Sequence, residues 1–319
     1  MTAPDGLVDL AGRWLGGSVI AASDESFGEK ENLIVPAPAT FRPGRYGHKG
    51  EIVDGWETRR HGSGVDWALV RLGAPGVIAA IDVDTSFFTG NHPAECLVEA
   101  CEAPGYPGPD ELTGWSVVVA RSPLTGDGHN LFEVRAAARA THVRLTVFPD
   151  GGVARLRVYG TVLADPWRFE GVSVDLAAQE LGGLVVASSD GFYSSAHALN
   201  RPGLARTMGE GWETRRRRDG GHDWAVVRLA CAGVVRQLEV DTSYYVANAS
   251  TACALYGFAG EGTPAADDPG WFPLLPRTAL RPDTRHHFPV PLTRPVSHVR
   301  VDAFPDGGLS RLRVIGHRA

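Results

Sequence analysis

One string of six residues occurs twice in this chain. Gly55-Trp56-Glu57-Thr58-Arg59-Arg60 returns unchanged as Gly211-Trp212-Glu213-Thr214-Arg215-Arg216. Around it the match continues in order. Val8-Asp9-Leu10-Ala11 pairs with Val174-Asp175-Leu176-Ala177, Ser23-Asp24 with Ser189-Asp190, Asp66-Trp67 with Asp223-Trp224, and Asp84-Thr85-Ser86 with Asp241-Thr242-Ser243. The stretch from His142 to Gly160 pairs with that from His298 to Gly316 without a gap. Offsets stay between 156 and 166, so one ancestral domain has been copied once. A repeat of this length is a whole domain, whereas solenoid repeats run to roughly 20–50 residues. The expected organisation is a first domain over 1–160, a linker over 161–173 and a second domain over 174–319. The main difference in length falls between Asp24 and Gly55, where the first copy is ten residues longer, as surface loops tolerate.

Local patterns name the fold class. Val143, Leu145 and Val147 alternate with Arg144 and Thr146, and Leu156 and Val158 alternate with Arg155 and Arg157. Period two with one apolar face is a strand over a core. Between these strands, Phe148-Pro149-Asp150-Gly151-Gly152 is turn chemistry. Short strands and frequent Gly/Pro turns predict an all-β chain of two tandem jelly-roll β-sandwiches. The helical hints are one short turn at each domain start, near Val8 to Gly12 and Val174 to Leu181.

Charge and cysteine content exclude several functions. A formal net charge of −6 lacks the basic footprint of a duplex-binding protein, so no nucleic-acid partner is expected. No apolar run reaches the roughly 18 residues that span a bilayer, so no membrane partner is expected either. The start has no basic stretch ahead of an apolar one, and cytoplasm is the expected location. Cys96, Cys101, Cys231 and Cys253 do not match between copies and form no CxxC pair, which suits free thiols. Neither a metal nor another cofactor is expected. His286-His287 stands without the further ligands a zinc motif needs, and His142 and His298 precede buried strands and read as structural.

Asp54-Gly55, Thr58-Arg59 and Trp67 ahead of Arg71-Leu72-Gly73 resemble the discoidin or galactose-binding-like jelly roll. The longer string is more specific. GWETRR, an aspartate–tryptophan pair, Val-Asp-Thr, then FPDGG and RLRV (LSRLRV in the second copy) resembles the allantoicase family over nearly the whole chain. That resemblance implies a hydrolase of allantoin degradation in purine metabolism. It would split allantoate into ureidoglycolate and urea, as a homo-oligomer of two-domain subunits. Competing readings are a tandem carbohydrate-binding, lectin-like module, since the fold serves both, and a ureidoglycolate lyase.

The reaction tells which residues to look for. Urea leaves a carbon that carries a carboxylate and a second ureido group, so a proton must reach the departing nitrogen and a base must activate water or take the other ureido proton. Glu57 and Glu213 are base candidates. Arg59, Arg60, Arg215 and Arg216 are candidates to clamp the carboxylate with paired hydrogen bonds. Equally, each Glu-Thr-Arg-Arg could be an internal ion-pair corner. Alternation along an extended segment puts Glu57 and Arg59 on one face and Thr58 and Arg60 on the other, so one arginine of each pair should sit beside its glutamate. His222 with Asp223 is the candidate acid pair, because the first copy has Val65-Asp66 there and histidine titrates near neutrality. That asymmetry favours a dominant site in the second copy. Asn91 and Asn248, which follow the aromatic pairs Phe87-Phe88 and Tyr244-Tyr245, can bond a ureido carbonyl and amide at once.

Overall fold

The computed structural model of the chain describes residues 6–60, 64–135 and 138–319. These form two compact units, 1–163 and 164–319. Each unit is built on one 19-residue strand, Asp66–Asp84 in the first and Asp223–Asp241 in the second. The sequence Gly73-Ala74-Pro75-Gly76 breaks the first of these midway, and the pairing register jumps between Ala140 and His142 opposite it. A bent strand of this length serves both layers of a sandwich. Its first half pairs with Ser18–Ala22 and Arg139–Phe148, and the latter carries Glu95–Cys101 and then Ser116–Pro123. Its second half pairs with Arg155–Val162 and His129–Glu133, and Val8–Asp9 closes that edge. The second unit repeats this order strand for strand. The strand pairs of the two large sheets are antiparallel, as expected for a jelly roll.

The alternation seen in the sequence becomes the core. Val143, Leu145, Val147, Leu156 and Val158 are fully buried, as are Val299, Val301, Leu312 and Val314 in the second unit. Arg155 and Arg157 leave the core face and reach the carbonyls of residues 35–38 and 54. The helical content is short 3-10 turns, Arg13–Leu15 and Gln179–Leu181 among them, while Val8–Asp9 and Val174–Asp175 are strand. The stretch drawn as a linker is folded. Thr161 and Val162 complete a strand, and Phe169 is buried against Ala178 and Leu181. Cys96, Cys101, Cys231 and Cys253 are free, and burial pushes the Cys96 and Cys253 thiols up to about 12, which keeps them unreactive. Among the described residues no helix is long and apolar enough to cross a membrane.

Candidate functional site

The repeated hexapeptide is a corner in which every residue has a separate task. Gly55 lets the Phe88 ring approach so closely that a Cβ there would lie 2.6 Å from it. Trp56 is fully buried, and its indole N–H donates to the Asp24 carbonyl at 2.8 Å. Thr58 is buried and exchanges hydrogen bonds with Gly151 of the Phe148–Gly152 turn, its backbone N–H donating at 3.3 Å and its hydroxyl accepting at 3.1 Å. Arg59 gives its backbone N–H and its Nε to the two Asp24 carboxylate oxygens at 2.8 and 3.1 Å. Burial works against the Asp24 anion, but hydrogen bonds from Ser26 and Arg59 outweigh it and hold the carboxyl below its ordinary range. The second copy repeats the plan. Trp212 donates to the Asp190 carbonyl, Thr214 bonds Gly307, and Arg215 donates its backbone N–H to Asp190 and stacks on Phe192.

That leaves Glu57, Arg60 and their partner. Asn91 Nδ2 donates to Glu57 Oε1 at 2.7 Å, and Asn248 does the same for Glu213 at 2.8 Å. Burial pushes the Glu57 carboxyl above its ordinary range, while the Asn91 hydrogen bond and the Arg60 charge pull the other way. The arginine that Glu57 feels is therefore Arg60, and Arg59 is engaged by Asp24. Simple alternation predicts the opposite. It fails because the strand Trp56–Glu57 is only two residues long and the chain leaves extended pairing after it. Arg60 and Arg216 are exposed and hydrogen-bond to no described residue, so their guanidinium forks are free to meet an anion.

Asn91 also lines a cleft of about 210 Å³ in the first unit. Its walls include Thr40, Glu51, Val53, Asp54 and the rings of Phe41 and Phe87. Phe41 and Phe87 lie 6.2 Å apart at 27°. The ten extra residues of the first copy supply part of this wall, through the hairpin Tyr46–Gly47 with Gly50–Glu51.

His222 and Asp223 do not form a pair. The strand begins at Asp223, so His222 lies just ahead of it and the two side chains go to different partners. Asp223 is buried and accepts from Ser189 Oγ at 2.8 Å and Arg217 Nη1 at 2.7 Å. Asp66 likewise accepts from Ser23, so this aspartate is a scaffold residue in both copies. His222 Nε2 instead lies 3.1 Å from Asp302 Oδ2, with the imidazole against the Phe304 ring at 4.6 Å. Asp302 is 2% exposed and is also held by Arg300 at 2.8 Å. Subtracting the copies would have found it, because the first has Thr146 at that place and Val65 opposite. The His286-His287 pair is absorbed locally. His286 accepts from the Arg281 N–H, and His287 contacts Gln237. Among the described residues no cluster of three or more His, Cys, Asp or Glu is arranged to hold a metal.

The model of the allantoicase repeat matches residues 8–163 and 174–319. The chain belongs to the allantoicase family. A probable allantoicase of Nocardia farcinica is 51% identical over 316 residues, covering 97% of this chain and 94% of that one. An allantoicase of Dictyostelium discoideum is 40% identical over 94% of this chain and 84% of its own length. The crystal structure of the Saccharomyces cerevisiae allantoicase superposes with a TM-score of 0.83 at 32% identity, covering 98% of this chain and 94% of that one. Membership of the allantoicase family makes the protein a hydrolase of C–N bonds in linear amidines and places it in allantoin degradation. The lectin-like and lyase alternatives fall away.

Proposed function

We propose that allantoate is cleaved at the Glu–Asn–Arg constellation of the repeated corner. The observation that supports this most is a desolvated carboxylate, Glu57, tied to an amide that opens onto a cleft and lying within the field of an unengaged guanidinium. In the reaction water adds its oxygen to the central carbon, the C–N bond to one ureido group breaks, and urea departs with the proton it needs. Glu57, or its counterpart Glu213, takes the proton from water. Burial raises the proton affinity of Glu57 and makes it a stronger base than an ordinary carboxylate, and a glutamate once protonated can return that proton to the leaving nitrogen. Arg60, or Arg216, binds the substrate carboxylate and fixes its orientation. Arg59 and Arg215 hold the corner through Asp24 and Asp190. Asn91 and Asn248 orient the glutamates. The proton relay His222–Asp302 is a second acid candidate, with Asp223 supporting its loop through Arg217 and Ser189. The protein is further proposed to work in the cytoplasm as a homo-oligomer.

The test is urea release. Purified protein given allantoate, ureidoglycolate and allantoin in parallel should liberate urea from allantoate and yield ureidoglycolate in equal amount. Urea from ureidoglycolate alone, or from none of the three, would overturn the assignment.

A further inference from the structure

The two corners carry the same six residues, but the segments just ahead of them differ. In the first unit Ile52 is held by the inserted hairpin. Its N–H donates to the Arg45 carbonyl at 2.7 Å, and its side chain lies over Gly47 of the inserted hairpin. Asp54 turns inward to Arg155 and Thr40. The space beside Asn91 stays open. In the second unit the hairpin is missing, and Met208 stands where Ile52 does. The Met208 sulfur lies 3.2 Å from Asn248 Nδ2, and its carbonyl accepts from the Tyr245 hydroxyl at 2.9 Å. Glu210 turns outward to Arg206. The thioether caps the amide that in the first unit faces the cleft.

The open cleft has a definite chemistry. Asn91 spends Nδ2 on Glu57, and its carbonyl oxygen hydrogen-bonds to no described residue. Glu51 gives one carboxylate oxygen to the Gly44 N–H and adds the other as an acceptor, the Asp54 carboxylate is taken by Arg155 and Thr40, and Phe41 and Phe87 add two flat apolar faces. Such a wall offers the Asn91 carbonyl and a Glu51 oxygen as acceptors between aromatic rings. It suits a thin, planar, neutral group with several N–H donors and repels a carboxylate. A ureido group has that description.

We infer that the cleft beside Asn91 in the first unit receives a ureido group of the substrate, and that Met208 closes the matching place in the second unit, so each chain carries one working site. This rests on the hydrolytic reading above and adds which copy performs it. The substrate carboxylate stays outside the acceptor-lined cleft, within reach of Arg60, and the ureido group enters beside Asn91.

Calorimetric titration with hydantoate (N-carbamoylglycine), which carries one ureido group and one carboxylate, tests the assignment alongside the urea assay. The wild-type chain should bind one equivalent. Val53→Phe, which fills the cleft from its wall, should weaken binding and raise KM at least tenfold. Thr40→Trp, on an exposed loop residue of the same wall, should do the same if Val53→Phe fails to fold. Met208→Ala should leave the affinity of that site and the rate of urea release within twofold. Two equal equivalents per wild-type chain, or urea release with hydantoate binding untouched by both cleft variants, overturns the inference alone. No urea from allantoate and no hydantoate binding removes it together with the hydrolytic reading.

Discussion

Phe88 and Tyr245 occupy the same place in the two units and differ by one oxygen. Phe88 is sealed in by Gly55 and Gly152, and its ring carries no hydroxyl to bond the segment before Gly55. The Tyr245 hydroxyl bonds the Met208 carbonyl and pins the turn Met208–Glu210 onto Asn248. Duplication supplied two identical corners, and the residues bordering them set them apart. A shared motif therefore measures common scaffolding, while the exchanged residues around it measure division of labour.

The largest expected effect sharpens this contrast directly. Glu57→Gln keeps the shape and the Asn91 contact but removes the base, and should lower kcat roughly 10²–10⁴-fold with an unchanged melting temperature. Glu213→Gln should cost at least tenfold less. Steady-state urea release and melting curves on both variants decide it, and the reverse ranking would make the second unit the working one.

A smaller effect separates the units by stability. Arg155 is buried and pairs with the Asp54 carboxylate at 2.7 Å, besides donating to the carbonyls of Ala37, Asp54 and Ala154. Arg311 has the carbonyls of Gly203, Glu210 and Ser310, and among the described residues no carboxylate within ion-pair distance. Burial, with Arg313 and Arg201 adding their charge, pushes its guanidinium down to about 10. Arg155→Met strands a carboxylate as well as carbonyls and should cost ~3 kcal/mol. Arg311→Met should cost about 1 kcal/mol less, because it also relieves an uncompensated charge. Hydrogen exchange, which reports each unit separately, measures both.

The smallest effect should be equal in the two units. His142 and His298 are buried, each with Nδ1 against the neighbouring Thr141 or Ser297 hydroxyl. Burial, then the charge of Arg71 or Arg228, holds each below the ordinary imidazole value. The unfolded chain takes up these protons near pH ~6.5 and the folded chain only at lower pH. Stability is therefore intact above that pH and falls as pH drops from there toward the folded values. His142→Gln and His298→Gln should each flatten the acid limb of the stability curve by a similar amount. A change confined to one variant would break the equivalence of the two scaffolds.

How much of this was legible beforehand follows the range of each interaction. The duplication, the strands through Val143–Val147 and Leu156–Val158 and the turn at Phe148–Gly152 rest on local periodicity, and the sequence carries that openly. The partners of Glu57 rest on contacts 34 residues apart, which no local pattern fixes. Asn91 was visible as a candidate by type, but its bond to Glu57 was not. Strand alternation does not place Arg60, because the strand Trp56–Glu57 ends before it. Adjacency of His222 and Asp223 does not make them a pair, because the strand begins at Asp223 and the two side chains have different partners. Asp302 and Met208 stand where the copies differ, so a match between the copies does not mark them.

The two glycines that flank Phe88 have one more consequence. A Cβ at Gly152 would lie 2.0 Å from one edge of the ring, and one at Gly55 would lie 2.6 Å from the other. The ring sits in a vice, unable to tilt or thicken, and the direction left for change is outward along its own axis. Adding an oxygen at that tip is the mildest alteration such a seat permits, and it is the one the second copy carries. A lineage drifting at this position would have had few alternatives to acquiring a latch.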